Sequence, residues 1–521
     1  MFRLTSSALA LAAMTAPAFA DVTPEQVWQS WVDYYQSVGY SVTEGGRDKS
    51  GDRLTLRDVV IATGGESGRM QLTLPQVVLT DLGDGKVKTL FAEELGLDLS
   101  GSETEGENYE LPVTVRIPGN TITTSGAAAD MTHEFDYPTV ELTTSTITTN
   151  GSESPLPVKF SLSGTSGTFH TVTGSPNRYD YEMVSEAMTF EGDVPDDQNG
   201  MVKFAGSLDG LESRGKLSAP GEFTNMEEEM DAALKSGLSI EGSLKAGVAK
   251  ANFDYSGTDE QGQPTSGTGT YDGKGFDASF NLSRQGMGYK LGSAAAQFQL
   301  TSPQVPFPIS YGFESGSMDL LLPVSQQDAA QPFKFAYALN GVTMAEEIWK
   351  IFDPQALLSR APASLELDLS GLMKVTRDLF AMPEETLPGT PENPDAAPDA
   401  QAPTAAMADA EDSGFEPVEM QINRLALDLL GAKVNATGEL KAAADGNIEA
   451  PVGQIHAEYE GLNTLLDSLG TIGIVPAEQM MGVRMMLALF AKPVEGTTDR
   501  MATDLEFREG GAVFANGQQI R

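Results

Sequence analysis

From Asp52 to about Val324 the dominant period of the chain is two. Arg53-Leu54-Thr55-Leu56, Met70-Gln71-Leu72-Thr73-Leu74, Val113-Thr114-Val115-Arg116-Ile117, Val158-Lys159-Phe160-Ser161-Leu162 and Phe276-Asp277-Ala278-Ser279-Phe280 each put apolar residues on one face and polar ones on the other. That is the signature of half-buried strands. Gly and Ser cluster between such runs, as at Gly206-Ser207-Leu208-Asp209-Gly210 and Ser266-Gly267-Thr268-Gly269, which predicts hairpin turns and antiparallel pairing. The Thr-rich stretch from Thr121 to Thr149 adds β-branched residues of low helix propensity. The expected fold class is mainly β, a β-rich α+β chain with large antiparallel twisted sheets built from hairpins and a few amphipathic helices.

The helices are marked by their starts and stops. Thr23-Pro24-Glu25-Gln26 supplies an N-cap, a proline at the first helical position and a capping-box glutamine, followed by Val27, Trp31, Tyr34 and Val38 at helical spacing. Thr343-Met344-Ala345-Glu346 leads to Ile348, Ile351 and Phe352, and Asp353-Pro354 predicts a short restart through Leu358. Two more helices are expected, from Leu462 to Leu469 with Gly470 as the stop, and from Pro476 to about Ala491 ahead of Pro493. After Leu425-Ala426-Leu427-Asp428-Leu429 as strand, Asp504 to Gly517 predicts a closing hairpin.

Four segments follow. Residues 1–20 read as a signal peptide: Arg3, an apolar run from Leu4 to Met14, and Ala18-Phe19-Ala20 before the expected cleavage at Asp21. Residues 21–381 read as a β-rich domain with an N-terminal helix, and residues 418–521 as a C-terminal β/α segment completing the same fold. Between them, 382–417 is rich in Pro, Ala and acid, with no Lys or Arg from Asp378 to Asn423. Such composition buries too little apolar surface to offset its ordering entropy, so a disordered insertion is expected there. Limited proteolysis is expected to cut within 384–412 first, and deleting that stretch to move the melting temperature by no more than a few degrees, on the order of a 1 kcal/mol effect. A larger drop would mean the segment is packed.

Composition narrows function mostly by exclusion. With 33 Lys and Arg against 74 Asp and Glu among 521 residues, the formal charge of −41 opposes nucleic acid and anionic headgroups. The absence of Cys removes thiolate metal sites, disulfides and Cys nucleophiles. No phosphate-loop motif, Gly-x-Ser-x-Gly elbow or His-Glu-x-x-His occurs, and His133, His170 and His456 are scattered. Asp196-Asp197-Gln198-Asn199-Gly200 and Asp81 to Asp84 are turns rather than calcium loops. No catalytic residue, metal site or cofactor is therefore expected. The most apolar stretch, Gly470 to Ala491, is broken by Pro476, Glu478 and Arg484, so no integral membrane span is expected. Within it, Met480, Met481, Met485 and Met486 with Val483, Leu487, Leu489 and Phe490 make a helix apolar over most of its circumference. Two readings stand open: a buried core helix, or an apolar surface of Met481, Met485 and Leu489 that lines acyl chains or a partner helix, since Met packs adaptably against varied ligands. Phe333, Phe335 and Tyr337 pose the same choice on a strand.

Both ends of the chain resemble a known group. Ala436-Thr437-Gly438-Glu439-Leu440, Pro451-Val452-Gly453, Gly461-Leu462-Asn463-Thr464-Leu465-Leu466 and Phe507 through Gly517 are similar to the tail of the domain of unknown function 2125 family. Asp21-Val22-Thr23-Pro24-Glu25-Gln26-Val27-Trp28 resembles the start of its long alphaproteobacterial members. These motifs are structural, so the resemblance implies no catalytic residue. The expectation is a non-enzymatic periplasmic envelope protein that binds lipid or another amphiphile along a sheet face. An outer-membrane β-barrel, a secreted hydrolase with an unrecognised carboxylate site and a surface structural protein are the alternatives.

Overall fold

A computed structural model describes residues 21–37, 39–64, 68–102, 108–196, 200–220, 226–259, 261–381, 414–444 and 449–521. The expected signal peptide lies outside these residues, as does most of the expected insertion. The last residues of that insertion belong to the fold instead: Phe415 opens a strand, pairs with Val375 and packs beside Leu379. The strand begins before the boundary drawn at 417, because Phe415 contributes a half-buried ring that the acidic composition around it conceals.

The chain is mainly β. Helix α1 (Pro24–Ser37) precedes β1 (Ser41–Ser50), β2 (Arg53–Gly64) and β3 (Gly68–Asp81), which pair in order. Next come β4 (Lys86–Phe91), β5 (Glu94–Ser102), β6 (Asn108–Arg116) and β7 (Thr121–Ala127). β4 and β5 pair with successive halves of β3, and β7 and β6 with successive halves of β8 (Asp130–Thr149). β9 (Ser152–Val172), β10 (Asn177–Asp196) and β11 (Gly200–Ala219) continue the meander as long strands. After α2 (Met226–Lys235) the strands come as end-to-end pairs: β12 (Ser239–Ala246) with β13 (Ala249–Thr258), β14 (Pro264–Gly273) with β15 (Phe276–Ser283), β16 (Gly286–Ser293) with β17 (Ala296–Thr301), and β18 (Ile309–Phe313) with β19 (Ser315–Leu322). Each pair is one long strand interrupted in the middle, since β12 and β13 together line β11 and each later pair lines the one before.

β20 (Gln331–Met344), α3 (Glu346–Phe352), β21 (Ala363–Val375), β22 (Phe415–Leu429), β23 (Ala432–Lys441) and β24 (Val452–Glu460) follow. The helical hairpin α4 (Leu462–Ile472) and α5 (Ala477–Phe490) comes next, then β25 (Lys492–Pro493), β26 (Arg500–Arg508), β27 (Ala512–Ala515) and β28 (Gln518–Gln519). Among the described residues no pairing joins β1 to the last strands, so the sheet is open and the closed-barrel alternative lacks its closing seam.

A crease crosses this sheet. In β2, Leu54 and Leu56 face the same way as Val59 and Ile61, with Arg57 and Asp58 between them and Asp58 at φ 52. Ser163-Gly164 in β9, Glu186-Ala187 in β10, Asp209-Gly210 in β11 and Asn340-Gly341 in β20 are the same two-residue interruption, as are the breaks at Gly247-Val248 and Lys274-Gly275. An extra residue at this level of the creased strands works as a bulge: it flips the alternation and so keeps both halves of the apolar set on one face; β21, β23, β24 and β26 alternate without it. This corrects the reading of Gly206 to Gly210 as a turn. Ser266 to Gly269 is also strand, its glycines lying under the rings of Tyr255 and Phe253.

The helices differ in detail. The predicted capping box of α1 is present, with Thr23 N donating to Gln26 Oε1 at 3.0 Å and Gln26 N to Thr23 Oγ1 at 3.3 Å. Val27, Trp28 and Trp31 then pack on Leu54, Leu56, Val77 and Leu79 to form the main core; each such side chain contributes about 1.5–3 kcal/mol on burial. α3 starts later than predicted, because Thr343 pairs with Gly312 as strand. No helix restarts at Asp353: its carboxylate accepts from Leu357 N and Leu358 N, both at 2.9 Å, and pairs with Arg360, which fixes a turn. α4 passes through Gly470, which lies under Met480, and stops at Gly473 with φ 83. α2 was not among the expected helices, although Asn225 and Glu228 flank its start at capping spacing; Ala233 and Leu234 seat it on Leu282 and Val324.

Candidate functional site

The alternation and the crease together place one set of side chains on the face that α1 covers. Across the sheet, one row of directly paired residues runs Phe169, Tyr181, Gly215, Gly242, Phe280, Tyr289, Leu320, Phe335, Leu369, Ile422, Gly438, Ile455, Leu505. The next row runs Gly167, Met183, Ser213, Leu244, Ala278, Leu291, Met318, Tyr337, Leu367, Leu425, Ala436, Ala457, Thr503. Neither row holds a charged residue, in a chain with 33 basic and 74 acidic side chains. At roughly 4.8 Å per strand spacing, each row is about 58 Å long. The opposite face is ionic: Asp319 lies 2.8 Å from Lys334 and 3.7 Å from Lys290, and Arg424 pairs with Glu366.

Glycine shapes the apolar face. A Cβ on Gly215 would stand 2.2 Å from Tyr181, one on Gly206 2.3 Å from Phe190, and one on Gly269 2.1 Å from Phe253. The rings therefore lie across their neighbours' backbones instead of standing clear of the sheet. Phe280 and Tyr289 approach to 4.8 Å and Phe298 and Tyr311 to 5.1 Å between centroids. The result is an aromatic floor. α1 covers one end of it and α2 packs over Leu217, Ile240, Phe280 and Met287, yet Tyr181, Tyr289, Leu291, Phe335 and Tyr337 remain 36–47% exposed. A core is not built this way: apolar surface is left in contact with water over several strands, more than monomeric proteins commonly expose.

The ends of the face differ. On edge strand β1, Glu44, Arg47 and Lys49 occupy the positions paired with Val59, Leu56 and Leu54, so charge replaces apolar side chains there, as edge strands require. α1 meets these charges, Trp28 Nε1 donating to Glu44 at 2.6 Å and Lys49 pairing with Glu25 at 2.6 Å. At the other end Val513 and Ala515 keep the face apolar. His133 lies under α1, 5.8 Å from Trp31 and 6.1 Å from Phe169 between centroids, with Nδ1 2.7 Å from Thr124 Oγ1. Burial, with a smaller contribution from His170, depresses its pKa to about 4. His170 and His456 sit on the ionic face beside Asp130 and Asp504, and Asp504 raises the pKa of His456. No group of three or more potential metal-ligating residues converges among the described residues.

Of the sequence-predicted surface, Met481, Met485 and Leu489 are 72%, 69% and 54% exposed. The core-helix reading of α5 is thereby excluded. Phe335 and Tyr337 lie on the apolar sheet rows, separate from α5. The rows themselves escaped prediction, although their signal is present as alternation, broken in many of the strands by a two-residue step.

No helix among the described residues is long and apolar enough to cross a membrane. Residues 261–516 match the model of a family described as an uncharacterized protein conserved in bacteria, the domain of unknown function 2125. The resemblance seen at the tail thus holds over the C-terminal half, whereas the Asp21 to Trp28 similarity lies outside the match. No curated protein and no solved structure matches the chain.

Proposed function

From a chain that carries the domain of unknown function 2125 over residues 261–516, we propose a non-enzymatic envelope protein, exported to the periplasm, that holds lipid or a similar amphiphile on its apolar sheet face. The observation that carries this reading is the pair of charge-free rows, half exposed and floored by aromatic rings. Acyl chains gain about 0.8 kcal/mol per buried methylene and ask for no charged partner. Binding, rather than catalysis, fits a face whose rows supply neither acid, base nor metal ligand.

Titration of lipid-stripped protein with a fluorescent fatty acid tests the proposal. Saturable binding is expected, weakened tenfold or more in Phe335→Glu and Tyr337→Glu, which place a carboxylate in the rows at partly exposed positions. Ala338→Lys, on the ionic face opposite Glu366, is expected to bind as wild type does. Absence of saturable binding in wild type would sink the lipid reading, and periplasmic fractionation tests the compartment.

A further inference from the structure

We infer that the α4–α5 hairpin is a lipid-bilayer contact through which the sheet face exchanges its ligand; this rests on the amphiphile reading above. On α5, Met481, Met485, Met486 and Leu489 are 54–72% exposed, yet the helix is anchored from its other side. Met480 lies over Gly470, Arg484 pairs with Asp467, and Asn516 Nδ2 donates to Phe490 O at 2.8 Å. The base of the hairpin is fixed too, since Asp499 accepts from Asn463 N at 3.0 Å and Thr464 N at 2.8 Å. The apolar stripe is thus held outward by design of its own contacts.

Its surroundings say what it meets. Gly461 and Ser359 both approach Gly431, which brings the α3–β21 connection, the β22–β23 turn and the start of α4 to the same end of the strands. Exposed Leu357, Leu365 and Leu429 lie at that end, widening the apolar area beyond one helix. Local charge selects the partner. In a chain of net charge −41, the hairpin and the residues just after it, Leu462 to Pro493, hold two acids, Asp467 and Glu478, against two bases, Arg484 and Lys492, and so carry no net charge. This neutral region is where the chain can approach phospholipid with least repulsion, the Met side chains entering the acyl region. The position also suits exchange, because the opposite end of the face is closed by α1 and the inward charges of β1.

Flotation with vesicles of phosphatidylethanolamine containing a minor fraction of phosphatidylglycerol tests this, using the full chain. Wild type is expected to float, and Met481→Lys and Met485→Lys each to lose at least tenfold in vesicle binding. Both sites are exposed, so melting and fluorescent fatty-acid titration are expected to match wild type. A wild type that binds fatty acid but not vesicles overturns the hairpin assignment and leaves the sheet reading standing. A concentration-dependent dimer dissolved by Met485→Lys, without flotation, would assign the stripe to a second copy instead and equally overturn it.

Discussion

Lowering the pH from above 6.5 to 4 is expected to remove on the order of 3 kcal/mol of folding stability through His133 alone. Its ring is 3% exposed, Nε2 has no hydrogen-bond partner among the described residues, and burial holds the pKa near 4 against an ordinary 6.5. In that window the unfolded chain binds a proton that the folded one refuses. The stabilisation is therefore complete above pH 6.5, falls as pH drops towards 4, and changes no further below it. Carboxylate protonation elsewhere adds its own pH dependence, so the measurement is a difference: denaturant unfolding of wild type and His133→Phe across this range. Phe fills the site between Trp31 and Phe169 and cannot titrate. The stability gap should move by about 3 kcal/mol in favour of the variant as pH falls; a gap independent of pH would mean that Nε2 is solvated.

Deleting Gly210 should cost more than 4 kcal/mol or prevent folding, whereas Gly210→Ala should cost only about 1–2 kcal/mol. The glycine sits at φ 63 with open space where a Cβ would stand, so Ala meets backbone strain and no clash. Deletion acts on register. With one residue fewer between Leu208 and Leu211, the half-strand from Met201 to Leu208 must turn Phe204 and Leu208 to the ionic face and Lys203 and Ser207 to the apolar one. Chemical denaturation of the two variants separates the contributions. Equal losses would show that glycine's backbone freedom, not the count of residues, sets the crease.

Strands and helix types were legible because their signals are local. Leu54 and Leu56 alternate within four residues, and Thr23 and Gln26 close a capping box across a single turn. What stayed hidden depends on partners far along the chain. Asp209-Gly210 reads as a turn until Ala187 and Val248 are known to lie beside it. Phe415 lies in acidic sequence yet packs with Leu379, and His133 looks like any strand histidine until α1 covers it. The candidate surface was legible in half. The composition of α5 marked it as unusual but could not say which way it faces, and the sheet rows needed the phase of every strand at once.

Because almost every strand bonds only to its immediate neighbours, the molecule is extensible in one direction, much as repeat proteins are. The family match begins at residue 261, between β13 and β14, and so cuts the sheet at a hairpin tip instead of through a shared core. Insertion of a further long hairpin, with its two-residue step at the same level, would widen the apolar face by about 9–10 Å and disturb neither α1 nor the α4–α5 hairpin. On the amphiphile proposal, chains of different length would then differ in how many acyl chains they hold while keeping the same two ends, and ligand capacity would be counted in hairpins.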